Sequence, residues 1–137
     1  MTERTGIVAL GARVHLFVQS AYRDEFVGLF RDVLGCRVRE LDFGLEQPIL
    51  LVAFDDGSAF SVEFTDLAPS PPEGQIDDSR AFHGAWIEFR TAELERLLAA
   101  LREAGVPEFR HPGSPHAYFS APGGQVFRLL DVDYVGP

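Results

Sequence analysis

ARVHLFVQSAYRDEFVGLFRDVLG, residues 12–35, is the stretch whose reading decides the fold. From Ala12 to Gln19 the residues alternate, with Val14, Leu16 and Val18 on one side and His15 and Phe17 on the other, the period-two signature of a strand. Ser20 is placed to cap a helix. Phe26, Phe30, Val33 and Leu34 then recur at i, i+4, i+7 and i+8, an amphipathic helix of about four turns, and Gly35 supplies the left-handed residue after its last turn.

Three strands are predicted next, at 36–43, 49–54 and 58–64, separated by Gly44 to Pro48 and by the Asp55-Asp56-Gly57 turn. The first half therefore reads βαβββ. A loop follows from Thr65 to Arg80, rich in proline (Pro69, Pro71, Pro72). Beyond it the order repeats. Residues 84–90 form a strand, and Thr91 caps a helix with Leu94, Leu97, Leu98 and Leu101 on one face. Gly105 and Pro107 end that helix, and short strands are predicted at 108–111, 115–120 and 125–132, the last two joined by Pro122-Gly123-Gly124. The two helix-ending glycines are 70 residues apart and the two capping residues, Ser20 and Thr91, 71 apart, which indicates duplication. The expected organisation is a first module at 1–68, a linker at 69–80 and a second module at 81–137, together one α+β domain.

If the aliphatic side of each strand faces the helices, the opposite side lines the concave face of a curved sheet. That side receives His15, Phe17, Ala59, Ser61, Glu63, Trp86, Glu88, Val126, Arg128 and Leu130, with Tyr118 as a further contributor. A polar wall in that position predicts a ligand cavity instead of solid packing.

Composition narrows the chemistry. The chain has 137 residues, a net charge of −9 and one cysteine, Cys36, which can form no intramolecular bridge and reads as a small buried apolar residue. All twelve basic residues are arginine; without lysine, Schiff-base chemistry and lysine-dependent phosphate loops are excluded. The charge balance offers no basic face for nucleic acid, and an acidic surface attracts cationic compounds in a salt-sensitive way. No apolar run is long enough to span a membrane, and no secretory signal is evident at the N-terminus, so a cytoplasmic location is expected.

Residues 12–35 and 85–130, with the helix RTAELERLLAALREAGV and the ending SAPGGQVFRLL, resemble the vicinal oxygen chelate superfamily of glyoxalase I, bleomycin-resistance and extradiol dioxygenase proteins. The resemblance implies two βαβββ modules forming a cupped mixed sheet around one cavity, helices on the outer face, and a homodimer in which the modules pair within a chain or are exchanged between protomers. Metal-dependent members place four ligands on the first and last strands of the two modules. By resemblance His15 and Glu63 match two of these, whereas Ala85 or Trp86 stands at the third and Arg128 at the fourth. His83 is an alternative donor two or three residues before the third position. His111 and His116 flank a Pro-Gly-Ser-Pro turn and are expected to be exposed, with His116 a candidate at the cavity mouth.

A guanidinium beside a carboxylate forms an ion pair directly and needs no cation between them. The expectation is a vestigial metal site, with no bound metal, replaced by a Glu63 to Arg128 pair near a neutral His15. Ligand-contact candidates are His15, Phe17, Ser61, Glu63, Trp86, Glu88, Tyr118 and Arg128. Two functions follow from the resemblance: binding of a small, partly aromatic molecule, or a lyase, isomerase or dioxygenase-type enzyme. The enzyme would use Zn, Ni, Mn or Fe, or work metal-free with Glu63 or His15 as base. Pairing with Arg128 would keep Glu63 ionised and make it a feeble base. Ser61 shares the face of Glu63 and approaches His15, but without a nucleophile elbow acyl transfer stands outside these two readings.

Overall fold

The computed structural model describes residues 6–8, 10–73 and 84–136. The end of the linker and the start of the second module, including His83, lie outside the described residues. Strand β1 (His15–Val18) leads into a helical segment of three pitches. A 3₁₀ turn spans Ser20–Tyr22, α1 spans Arg23–Val27 and a π turn spans Gly28–Val33. The segment starts with Gln19 at the capping position and no side-chain cap bond, so Ser20 does not play the expected role. The π turn widens the helix where Phe26, Val27, Leu29 and Phe30 must all be buried.

Strands β2 (Arg37–Leu41), β3 (Ile49–Ala53) and β4 (Ala59–Phe64) complete the first module in the order β1-β4-β3-β2. The pair β1 and β4 is parallel and the others are antiparallel. The second module repeats this with β5 (Trp86–Thr91), α2 (Leu94–Glu103), β6 (Ala117–Ser120) and β7 (Val126–Asp131), in the order β5-β7-β6 with β5 and β7 parallel. Thr91 Oγ1 accepts the Glu93 N–H at 3.0 Å just ahead of α2.

The strand predicted at 108–111 is reduced to one bridge between Phe109 and Tyr118. Pro107 and Pro112 bound this segment, and neither ring nitrogen can donate to a ladder. The bridge lies on the outer side of β6, where the counterpart of β2 belongs, so the duplicated order survives in reduced form.

One core joins both modules. Phe30, fully buried, lies 5.3 Å from Phe60 of β4, 6.1 Å from Phe89 of β5 and 5.4 Å from Phe127 of β7, centroid to centroid. The two sheets also meet directly, with Phe54 and Phe89 rings 5.3 Å apart and Phe60 and Phe127 rings 6.2 Å apart. Since these contacts use the aliphatic side of each sheet, the polar sides look away from each other. Two contacts tie the β6–β7 turn to the first module: Gln125 Nε2 donates to the Phe17 carbonyl at 3.0 Å, and a Cβ on Gly123 would stand 2.7 Å from Val18 Cγ2.

Candidate functional site

The polar residues singled out from the sequence fall into two groups, one on each sheet. On the first sheet the parallel register sets His15 opposite Ser61 and Phe17 opposite Glu63. His15 Nδ1 lies 2.6 Å from Ser61 Oγ, and Nε2 lies 3.4 Å from Glu63 Oε1. A carboxylate only accepts, so in the tautomer that carries its proton on Nε2 the imidazole donates to Glu63 and its Nδ1 accepts the Ser61 hydroxyl. The Phe17 ring stands edge-on to His15 at 4.9 Å and is half exposed. His15 and Glu63 side chains are each about a third exposed, at 33% and 31%.

On the second sheet, β5 and β7 set Glu88 opposite Arg128. Arg128 Nη2 donates to Glu88 Oε1 at 2.5 Å, and the guanidinium carbon lies 3.9 Å from the Trp86 ring centroid. Arg90 donates to the other Glu88 oxygen at 3.3 Å, so one carboxylate is held between two cations. Burial alone would raise the Glu88 carboxyl, but hydrogen bonds from Arg128 and Arg90 outweigh it and hold the group below its ordinary range. Burial likewise works against the Arg128 charge, yet Glu88 and Tyr118 leave it raised. Arg128 Nε is buried without a hydrogen-bond partner among the described residues. Tyr118 is itself fully buried and backs Trp86 from 6.3 Å, its hydroxyl 3.1 Å from Ser114 Oγ.

The expected Glu63 to Arg128 pair does not form. Glu63 is held by His15 on one sheet, while Arg128 takes the carboxylate directly across the ladder on the other. The inference that Arg128 makes Glu63 a feeble base therefore falls with the pair. His116 is also corrected: it is buried, its ring perpendicular to Tyr134 at 4.6 Å, because the C-terminal residues fold back and Arg90 Nη1 donates to the Tyr134 carbonyl. His111 is partly buried, 5.9 Å from the Tyr118 ring. Cys36 is half-buried, and burial together with Asp55 pushes its thiol up to about 11, in keeping with an inert side chain. A groove of about 380 Å³ between α1 and β2, where Arg23 pairs with Glu40, lies apart from both polar faces and was not legible from the sequence.

Among the described residues no group of three or more His, Cys, Asp or Glu side chains is arranged to hold a metal ion, and no helix is long and apolar enough to cross a membrane. The Arg128 pair gives a pH prediction. A carboxyl depressed in the folded state contributes stability that is present at neutral pH and lost as the pH falls through its folded value. Trp86 fluorescence should therefore hold steady down to the ordinary glutamate range and change only below it. A change centred near neutrality would show that the pair does not govern Trp86.

No family model matches the sequence, and no curated protein does. Solved structures do. A glyoxalase/dioxygenase from Nostoc punctiforme aligns with a TM-score of 0.67 at 16% identity, over 94% of this chain and 98% of its own. The trypanothione-dependent glyoxalase I of Leishmania major gives 0.65 at 15% identity, over 90% and 87%. TnmS3, an antibiotic binding protein from Streptomyces sp. CB03234, gives 0.59 at 20% identity, over 93% and 98%. At these identities the likeness establishes the fold: the chain shares the architecture of the glyoxalase/bleomycin resistance protein/dioxygenase superfamily.

Proposed function

We propose that the protein binds a small, partly aromatic molecule without a metal, in a homodimer whose site takes one polar face from each chain. The carrying observation is the platform on β5 and β7. Trp86 is 39% exposed, and Arg128 lies over its ring while Glu88 holds the guanidinium in place. A tryptophan with a fixed cation against it presents a preorganised, flat surface with little left to order on binding.

The placement of the faces supports the dimer in this reading. Because they look away from each other within one chain, a site that draws on His15, Phe17, Ser61 and Glu63 as well as Trp86, Glu88 and Arg128 takes each set from a different protomer, while Tyr118, expected to contact the ligand, is buried behind Trp86 and only supports it. Binding, instead of metal-dependent lyase, isomerase or dioxygenase chemistry, is favoured by the donor set. His15 and Glu63 provide two ligands, and the corresponding positions of the second module hold Trp86 and Arg128. A permanent cation in place of a carboxylate does not fit a divalent ion. The likeness to an antibiotic binding protein supports the same reading. The glyoxalase I likeness supports the enzyme instead.

Trp86 is the single tryptophan in the chain, so intrinsic fluorescence reports on this platform alone. Titration with a panel of aromatic and cationic compounds should quench it saturably without added metal. Arg128→Ala should weaken that binding roughly tenfold, about 1.4 kcal/mol. Binding that appears only with added zinc, nickel, manganese or iron would overturn the metal-free reading, and a monomer at the protein concentrations that bind would overturn the shared site.

A further inference from the structure

We propose that Ser61 is an activated nucleophile with His15 as its base and Glu63 as a positioning residue, and that this face hydrolyses activated aryl esters. The activity is additional to ligand binding and does not require the Trp86 platform. It rests on the continuous run from Ser61 Oγ to His15 Nδ1 at 2.6 Å and from His15 Nε2 to Glu63 Oε1 at 3.4 Å.

The strand register produces this run. Ser61 and Glu63 are two apart on β4 and share one side of the sheet, while His15 on the adjacent parallel strand stands opposite Ser61. One imidazole thus reaches the hydroxyl with one nitrogen and the carboxylate with the other. A base within hydrogen-bond reach of a serine hydroxyl, itself oriented by a third group, is the arrangement that activates serine. In serine proteases Nε2 faces the serine and Nδ1 the carboxylate; here the two exchange places. Either nitrogen is basic when the other carries the proton. Among the described residues Glu63 pairs with His15 and not with Arg128, so its carboxylate serves to orient the imidazole.

The surroundings select the substrate class. The His15 and Glu63 side chains are partly open to solvent, so an ester can approach. Phe17, half exposed and edge-on to His15 at 4.9 Å, offers a flat apolar surface beside the nucleophile, suited to an aryl leaving group.

Ser61 Oγ attacks the ester carbonyl carbon as its proton passes to His15 Nδ1. The bond from that carbon to the aryl oxygen breaks, and the phenol departs with the proton from Nδ1. Ser61 is left acylated. A water molecule then gives a proton to Nδ1 and attacks the acyl carbon, which releases the carboxylic acid and returns the proton to Ser61 Oγ. The net change is ester plus water to phenol plus acid, with no oxidation or reduction.

The test is p-nitrophenyl acetate with the purified full chain, following nitrophenol release and locating the acetyl group by peptide mass analysis. Lysine acylation is absent and thiol attack is suppressed, because the chain has no lysine and the Cys36 thiol is pushed up to about 11, and the Ser61→Ala chain measures the hydrolysis due to the other histidines. One acetyl group should appear on Ser61 and turn over. Ser61→Ala should abolish both the adduct and the turnover, and His15→Gln should slow turnover by about 100-fold. Glu63→Gln should lower kcat by roughly tenfold with KM unchanged, and Glu63→Asp should recover part of the loss. Acetyl found elsewhere in the wild-type chain, or Ser61→Ala hydrolysing at the wild-type rate, would overturn the proposal. The wild-type adduct decides the matter even if a variant fails to fold, and an unquenched Trp86 with an acetylated Ser61 would defeat the binding reading alone.

Discussion

Phe30→Ala is expected to cost about 3–5 kcal/mol of folding stability and to lower Tm by about 10 °C or more. The ring is fully buried and touches Phe26 at 4.8 Å in addition to Phe60, Phe89 and Phe127. Those partners come from the helix, β4, β5 and β7, so no single element can shift to close the space without losing contacts to another. Calorimetry on the wild-type and variant chains checks this. The variant should still melt in one transition, because the same rings join both sheets. A loss under about 1 kcal/mol, or separate melting of two halves, would mean that the shared core does not couple the modules.

Gly124→Ala is the second large effect, at about 2–4 kcal/mol. Gly124 has φ +91°, and a Cβ there would meet Pro72 Cδ at 2.9 Å and Pro71 Cα at 3.1 Å. The neighbours are consecutive prolines, one of them contacted at its backbone, so they have little room to move. Gly113→Ala provides the control. Its φ of +78° carries a similar conformational penalty, but nothing lies within 4 Å of the added methyl. Urea denaturation of the two variants separates the terms, and equal losses would show that contact with the prolines contributes nothing.

The architecture was legible because strand alternation, helical spacing and turn residues agreed at most boundaries, from His15 through Phe64 and again from Trp86 through Asp131. What failed was local or concerned pairing. The helix at Ser20 changes pitch because four neighbouring apolar residues have to reach one core, which an ideal-helix pattern does not express. The segment at 108–111 has an apolar residue to offer but too few donors between its prolines. For the polar residues, side-of-sheet reasoning identified the right set and misassigned one partner, because it treated the faces as one surface. The spacing already held the correction. The interval of 71 residues carries His15 onto Trp86 and Phe17 onto Glu88. Since the first and last strands of a module are paired, Phe17 opposite Glu63 implies Glu88 opposite Arg128. A carboxylate across the ladder from an arginine is within reach without any closure between sheets.

Gln125 has a consequence for how this chain behaves in a crowded solution. Among the described residues the β1 strand ends the four-stranded sheet on one side, an edge that would welcome a foreign strand. The Gln125 amide occupies the Phe17 carbonyl, and the turn beside it sits against Val18, so an incoming strand meets a plugged acceptor and a physical obstacle. On the other side β2 carries Arg37, Arg39 and Glu40, whose charges an incoming strand would have to desolvate or match. Both margins of the sheet are thereby guarded against fibrillar growth by different means, one by occupation and the other by charge.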